Sequence, residues 1–275
     1  MSETQGKRWV SRGKCNFCGQ LIAKSGMTRH LQACKQRKAA IAEGVKNGRK
    51  ARLFHLMVEG KYAIDYWMHI EIPAAATFLD LDQFLRDIWL ECCGHLSRFT
   101  VGEQEYDVYL DDEFNDFATG TRLIEQFKQA MGVEPPEDLF RHWFRPPPKY
   151  MGDARLGDAL KPGLKFSHEY DFGTTTDLKL KVIAEREARI GKKFGVAILA
   201  RNEPPEIICD ECGEKPATHL CLECLGPGTG ALCKDCARKH SKVHEMFLPV
   251  VNSPRVGMCG YTGDAPDDWM DFVEE

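Results

Sequence analysis

The strongest chemical pattern lies near the end of the chain, where Cys-x-x-Cys pairs recur at even intervals. Six cysteines and two histidines follow one another as Cys-x2-Cys-x8-Cys-x2-Cys-x8-Cys-x2-Cys-x3-His-x3-His. Thiolates and imidazoles bind Zn²⁺ tetrahedrally, so eight such donors fill two sites with none left over. The predicted ligands are Cys209, Cys212, Cys221, Cys224, Cys233, Cys236, His240 and His244. His219 is a rival ligand, because one residue separates it from Cys221.

A second set of donors lies near the start, with the spacing Cys15-x2-Cys18-x11-His30-x3-Cys34. His30 and Cys34 are four positions apart and would share one face of a helix. A unit this small cannot hold together by apolar burial alone, so a metal would stabilise its fold. The pattern resembles a Cys-Cys-His-Cys zinc finger; the alternative is a chance scatter of thiols in a cationic segment. In total, the sequence predicts three zinc ions.

The 12 cysteines of the chain could instead form disulfides. No apolar signal segment follows the start, so we expect a cytoplasmic protein. A reducing compartment keeps thiols free, which favours metal ligation over disulfides. The apolar runs are far shorter than the ~20 residues of a membrane helix, so we expect no membrane partner.

Basic residues are concentrated at the start of the chain. Residues 1–61 contain 14 Lys+Arg against 3 Asp+Glu, although the whole chain has a net charge of −4. Such a cluster can neutralise phosphates, so a nucleic acid is a candidate partner. The alternative is a solvated helix face followed by a flexible linker. The candidate contacts are Lys24, Arg29, Lys35, Arg37, Lys38, Lys46, Arg49, Lys50 and Arg52. Nothing distinguishes DNA from RNA or indicates base-specific readout.

The middle block, residues 51–200, shows regular hydrophobic periodicity. Alternation over residues 62–72 predicts a strand with one buried face, and apolar residues at helical spacing over 81–92 predict an amphipathic helix that Asp80 caps. Further predicted elements are a hairpin around Gly102, a helix over 123–131 and strands over 166–172 and 178–182. Helices mixed with strands that local hairpins connect predict an α+β fold.

Four runs in this block carry a resemblance to a known family. They are Ile70-Glu71-Ile72-Pro73, Gly94-His95-Leu96-Ser97-Arg98-Phe99, Leu156-Gly157-Asp158-Ala159-Leu160 and Tyr170-Asp171-Phe172-Gly173. Over about residues 51–185 the chain resembles the plasmid pRiA open-reading-frame-three family. That resemblance implies an α+β fold and a plasmid or mobile-element context, and the family has no settled activity. The chain departs from the family at Thr174-Thr175-Thr176, where acidic residues and Trp are usual.

The cysteine-rich end resembles a B-box-type zinc-binding domain, in which ligand pairs interleave. The resemblance implies one site formed by Cys209, Cys212, Cys233 and Cys236 and another formed by Cys221, Cys224, His240 and His244. It also implies contact with a protein partner. The acidic segment that follows is either a docking segment or a solvated chain end.

The candidates for catalysis in the middle block are His95, His168, Glu169 and Asp171. Glu169 and Asp171 would share one face of a strand, about 7 Å apart, as paired carboxylates in metal-assisted or acid–base chemistry do. The simpler interpretation is a half-buried histidine and the solvated face of a sheet. Cys92, Cys93 and Cys259 lack the spacing of a metal site. No phosphate-binding Gly-rich loop, nucleophile elbow or dinucleotide fingerprint is present.

The sequence therefore predicts a basic zinc finger with a linker (1–50), an α+β domain (51–200), a double zinc module (205–250) and an acidic tail (251–275). We expect a non-enzymatic adaptor that joins a nucleic acid, held by the basic end, to a protein partner, held by the zinc module. The alternatives are a pure protein-interaction adaptor and a metal-assisted nuclease that uses the middle block.

Overall fold

A computed structural model of the chain describes residues 10–44, 48–109, 117–134, 136, 146–224, 226, 230–266 and 269–270. Its strands are β1 (Arg12–Cys15), β2 (Leu21–Ala23), β3 (Arg49–Gly60), β4 (Trp67–Pro73), β5 (Ser97–Val101), β6 (Gln104–Asp107), β7 (Lys149–Tyr150), β8 (Lys165–Tyr170), β9 (Thr176–Ile190), β10 (Ala197–Asn202), β11 (His219–Cys221), β12 (Ala231–Leu232) and β13 (Phe247–Pro249). Its helices are α1 (Lys24–Ala33), α2 (Lys35–Glu43), α3 (Phe78–Leu85), α4 (Phe117–Met131), α5 (Leu156–Ala159) and α6 (Lys234–His240). A π-helical turn, Arg86–Leu90, continues α3.

Two sheets organise these elements. The large sheet has the order β2-β1-β10-β4-β3-β9-β8-β5-β6-β7 and is antiparallel except for the β6–β7 pair. The small sheet has the order β12-β11-β13. A mixed sheet with a few helices confirms the predicted α+β class. Among the described residues, none of the helices combines the length and the apolar character that crossing a bilayer requires.

The central strand β4 is buried on both faces, whereas the sequence predicted one buried face and an earlier start. Residues before Trp67 form a turn in which Tyr62 and Ile64 are exposed. Ile70 and its neighbours on one face join the main apolar core. On the other face Trp67 packs with Met27 of α1. The face that alternation predicted to be solvated is therefore covered, because the N-terminal segment (residues 10–44) packs against it.

The N-terminal segment (residues 10–44) is attached to the large sheet by backbone pairing. β1 runs antiparallel to β10, with Gly13 opposite Asn202 and Cys15 opposite Ala200. A Cβ atom at Gly13 would collide with the carbonyl oxygen of Arg201 and with the Trp67 ring. Only glycine therefore allows this close pairing.

Helix α3 begins with a capping box that differs from the predicted cap. Thr77 is the N-cap residue and accepts a hydrogen bond from the backbone of Asp80, whose side chain accepts one from the Thr77 backbone at 2.7 Å. Asp80 therefore occupies the third helical position, as the reciprocal partner of the cap.

A buried charge network joins the end of α3 to strand β8. Asp82 accepts hydrogen bonds from His168 Nε2 and Arg86 Nε, both at 2.6 Å. Burial alone raises the pKa of Asp82, but the hydrogen bond from His168 and the charge of Arg86 more than offset it and hold the pKa below its usual value. The network fixes α3 against the sheet, because Asp82 on the helix is hydrogen-bonded to His168 on β8.

Replacing Asp82 with Ala would leave Arg86 and His168 buried without their common acceptor. We expect the free energy of unfolding to fall by about 3–5 kcal/mol. The control is Asp87→Ala in the adjoining turn, because Asp87 is exposed and should change stability by less than about 0.5 kcal/mol. Urea denaturation of both variants provides the measurement, and equal effects would contradict a stabilising role for the network.

Two histidines form a buried pair between β3 and β4. His55 Nε2 and His69 Nδ1 lie 2.9 Å apart. Burial, with the nearby Arg37 charge, lowers the pKa of His55 to about 4. Burial and the neighbouring His55 lower the pKa of His69 to about 3. Both rings are therefore neutral in the folded protein at neutral pH.

This pair makes stability depend on acid pH. An unfolded histidine takes up a proton near pH 6.5, whereas the folded pair stays neutral until about pH 4, so stability falls as the pH falls through this window. Replacing His55 with Gln should reduce that slope by one proton, or about 1.4 kcal/mol per pH unit. The difference between wild type and variant cancels the titration of other histidines. Parallel stability curves from pH 7 to pH 4.5 would contradict the prediction.

Candidate metal centres

The four ligands predicted near the start converge where β1 meets α1. Cys15 ends β1, Cys18 lies in the following turn, His30 is in the last turn of α1, and Cys34 follows that helix. Their sulfur and nitrogen donor atoms all lie within 4.8 Å of one another. Gly19, at φ 72°, closes the turn and donates its N–H to the Cys15 carbonyl at 2.8 Å. This cluster could hold one tetrahedral metal ion.

A second cluster lies at the base of the small sheet. It contains Cys209, Cys212, Cys233 and Cys236, whose sulfur atoms also lie within 4.8 Å of one another. Cys233 is the N-cap residue of α6, and Cys236 lies on its buried side. Gly213, at φ 68°, turns the chain after Cys212 and donates its N–H to the Cys209 carbonyl at 2.9 Å.

The thiols of this cluster differ in acidity. Burial raises the pKa of Cys209, but backbone hydrogen bonds from Cys212 and Cys233 more than offset it and lower the pKa to about 6. Burial and the neighbouring sulfur atoms raise the pKa of Cys236 to about 12. Cys209 is therefore prepared as a thiolate, which is the form that binds a metal.

A third cluster lies at the other end of α6. Cys221 ends β11, Cys224 follows in a turn, His240 ends α6, and His244 lies beyond it. Cys224 Sγ is 3.3 Å from His240 Nε2 and 3.2 Å from His244 Nδ1. The ligand pairs interleave along the chain, as the B-box resemblance implied.

His219 belongs to neither cluster. Its Nε2 atom lies 2.8 Å from the Trp269 carbonyl oxygen, and its Nδ1 atom lies 2.8 Å from the Thr218 hydroxyl. The geometry therefore favours His240 and His244 over this rival ligand.

The structure also gathers donors that the sequence left without a partner. Cys92, Cys93, His95 and Cys259 lie with their donor atoms within 4.8 Å of one another. Spacing along the chain could not reveal this cluster, because His95 and Cys259 are separated by 164 positions. The four clusters together contain all twelve cysteines of the chain, and every one is a free thiol.

The candidate catalytic residues do not form one site. His168 is completely buried against Asp82, while Glu169 points to the other face of β8. Asp171 leaves the strand, because its φ of 64° breaks the alternation; the predicted shared face with Glu169 is therefore wrong. The Asp171 carboxylate instead accepts a hydrogen bond from the buried Arg255 at 2.7 Å. His95 lies 3.7 Å from Asp171 and belongs to the fourth cluster.

The basic residues of the N-terminal segment have different environments. Arg37 is buried and donates to Glu71 at 2.6 Å and to the Leu31 carbonyl at 3.0 Å, so its assignment as a phosphate contact is wrong. Lys24 pairs with Glu59. The exposed candidates are Arg29, Lys35, Lys38, Arg49, Lys50 and Arg52. Lys46 lies outside the described residues.

The chain after the small sheet returns to the large one. Ser253 Oγ donates to the Trp89 carbonyl at 2.6 Å. Further along, Trp269 and Met270 pack against the apolar cluster around Cys209. These parts of the predicted acidic tail are thus in contact with folded elements, and residues 267–268 and 271–275 lie outside the described part.

Comparisons with known proteins give no functional name. No family model and no curated protein matches the chain. Among solved structures, the chain is similar to the protein of unknown function MM3350 from Methanosarcina mazei Go1, at 17% identity and a TM-score of 0.40. That similarity covers 55% of this chain and 70% of the other. Function must therefore be inferred from the site geometry.

Metal analysis of two histidine variants tests the third cluster. His240→Ala should lower the bound metal by one ion per chain, because it removes one of four ligands. His219→Ala should leave the metal content unchanged, because this ring contacts Thr218 and Trp269 instead. Elemental analysis of the purified proteins provides the count. Loss of an ion from His219→Ala alone would contradict the ligand assignment.

Proposed function

We propose that this chain is a zinc protein whose metal centres build binding modules, and that it joins a nucleic acid to a protein partner. The observation that carries the proposal is the composition of the three predicted clusters, each of which offers four sulfur or imidazole donors within 4.8 Å. Zn²⁺ suits such soft donors, and four protein ligands leave no open position for a substrate. Ions bound in this way stabilise structure rather than activate water.

Exposed cationic side chains on the N-terminal segment support the nucleic-acid half of the proposal. Arg29 on α1 and Lys35 and Lys38 on α2 are exposed. Each phosphate contact releases counterions, so binding through these residues would be sensitive to salt. The loss of Arg37 to an internal ion pair reduces the basic surface without removing it.

The protein-binding half is supported by apolar exposure beside the third cluster. Val243 and Met246, which flank His244, have 76% and 57% of their surfaces exposed. Metal ligation of His240 and His244 would hold this turn in place. A fixed, partly apolar turn is suited to a protein contact.

The nuclease alternative has less support. It requires His95, His168, Glu169 and Asp171 to act together, whereas His168 is engaged by Asp82 and Asp171 by Arg255. In the pure protein-adaptor alternative, the basic end binds an acidic protein instead of a nucleic acid. A nucleic-acid binding assay distinguishes the two.

Charge reversal on α2 tests the nucleic-acid half. Lys35→Glu/Lys38→Glu should weaken binding to a labelled DNA or RNA duplex or single strand. It should also reduce the salt dependence of log Kd by about 0.9 per lost phosphate contact on duplex DNA. The matched control is Lys192→Glu/Lys193→Glu, two exposed lysines outside the basic end. Fluorescence anisotropy between about 50 and 200 mM salt covers the range in which the electrostatic contribution changes strongly.

Two results would overturn this half of the proposal. One is the absence of wild-type binding at the lowest salt concentration. The other is an equal loss of affinity and salt dependence in both charge-reversal variants, since that would indicate a general effect of net charge. Point variants are preferable to deletion of the finger, because β1 is a strand of the large sheet.

A further inference from the structure

One cluster of metal-binding side chains is not used by the proposed function. Cys92 and Cys93 follow the π-helical turn after α3, His95 lies two residues further on, and Cys259 lies in the segment after the small sheet. His95 Nε2 is 3.3 Å from Cys259 Sγ. The donor set of three thiols and one imidazole equals that of the N-terminal cluster.

The loop that carries three of these donors is held by the side chains of Arg86 and Glu91. Arg86 donates to the His95 carbonyl at 2.7 Å and to the Ser97 hydroxyl at 2.9 Å. The carboxylate of Glu91 accepts the N–H of Gly94 at 2.5 Å. These bonds fix the backbone between Cys92 and His95, so the donors are positioned before any ion binds.

The segment that supplies Cys259 is held separately. Arg255 is fully buried, donates to Asp171 and lies 4.8 Å from the centre of the Tyr170 ring. Its Nη2 atom also donates to Cys92 Sγ at 3.4 Å. A hydrogen-bond donor to a ligating sulfur orients it, as groups behind metal ligands commonly do.

Cys259 has a backbone conformation that L residues rarely adopt. Its φ of 45° lies in the left-handed region, which strains the backbone of a residue with a side chain. In this conformation its sulfur lies next to His95. Ligation of a metal by Cys259 would offset the cost of the strained backbone.

We propose that Cys92, Cys93, His95 and Cys259 form a fourth metal site, which binds one Zn²⁺ ion and fastens the segment after the small sheet to the central α+β domain. Three thiolates and an imidazole suit Zn²⁺ and disfavour Mg²⁺ or Ca²⁺, which prefer oxygen donors. Binding releases the thiol protons to solvent and needs no oxidant or reductant. The site is independent of the nucleic-acid and protein contacts proposed above.

Exposure distinguishes this site from the other three. Each of the other clusters contains at least one buried cysteine, whereas Cys92 is half-buried and Cys93 and Cys259 are exposed. A chelator can therefore reach this ion more easily. We expect the fourth ion to be the first that a chelator removes.

Metal counting on the full-length chain tests the proposal. The protein is loaded with Zn²⁺ under reducing conditions and examined by elemental analysis and native mass spectrometry. Wild type should hold four ions per chain, one for each cluster, and Cys93→Ser and Cys259→Ser should each hold three. Met258→Ser changes the neighbouring side chain of the same loop and should hold four. Because Cys93 is exposed, Cys93→Ser should leave the fold intact, so a lost ion in this variant reflects the lost ligand.

The outcomes separate this site from the others. Three ions in wild type, with none lost in Cys93→Ser or Cys259→Ser, would overturn the fourth site and leave the three predicted clusters intact. Four ions in both variants would also overturn it, because the additional ion would then lie elsewhere. A disulfide that includes Cys92, Cys93 or Cys259 in the reduced, zinc-loaded protein would also overturn the fourth site, because oxidised sulfur atoms would not ligate the ion. Fewer than three ions in wild type would contradict the zinc-protein proposal itself.

Discussion

The small modules depend on one constraint, which is that the thiols and imidazoles of each cluster meet at one point. The apolar core around α6 contains seven buried residues, and four of them are cysteines. The ligands therefore make up most of the core, and little apolar surface remains to hold the module together without an ion. The large sheet differs, because the side chains of β4, β3 and α3 give it an apolar core of its own.

The two faces of the large sheet are stabilised by different interactions. The face under α3 is apolar, whereas the face under the N-terminal segment carries buried polar groups. Glu71 on that face accepts hydrogen bonds from both Arg37 and Arg186, at 2.6 and 2.8 Å. Burial raises the pKa of Glu71, but the two guanidinium groups more than offset this and keep the pKa below its usual value. An internal ion network thus joins α2 to the sheet and removes one arginine from the basic surface.

The sequence predicted those features that depend on short spacing. The donors of the cysteine-rich end were found because they form Cys-x2-Cys pairs and a His-x3-His pair. Their division into two sites was implied by the B-box resemblance. The helix over residues 81–92 was also predicted, because its apolar positions repeat locally. Its cap was misplaced by three residues, since Thr77 was not considered as a partner of Asp80.

Features that depend on tertiary contacts could not be predicted. The burial of Arg37 requires Glu71, which lies 34 positions away on another element. The carboxylate of Asp171 pairs with Arg255, which lies 84 positions later. The cluster that contains Cys259 was missed for the same reason, because Cys259 is far from the other members along the chain. In each case the partners are brought together by the tertiary fold, which local periodicity does not encode.

The pairing of β1 with β10 covers a strand edge that would otherwise be open. Without its neighbour, β10 would present a row of unpaired backbone N–H and C=O groups beside the buried side chains of Leu199 and Ala200. An open strand edge of this kind is a template for pairing with other copies of the chain. A chain whose N-terminal segment failed to fold would therefore expose this edge.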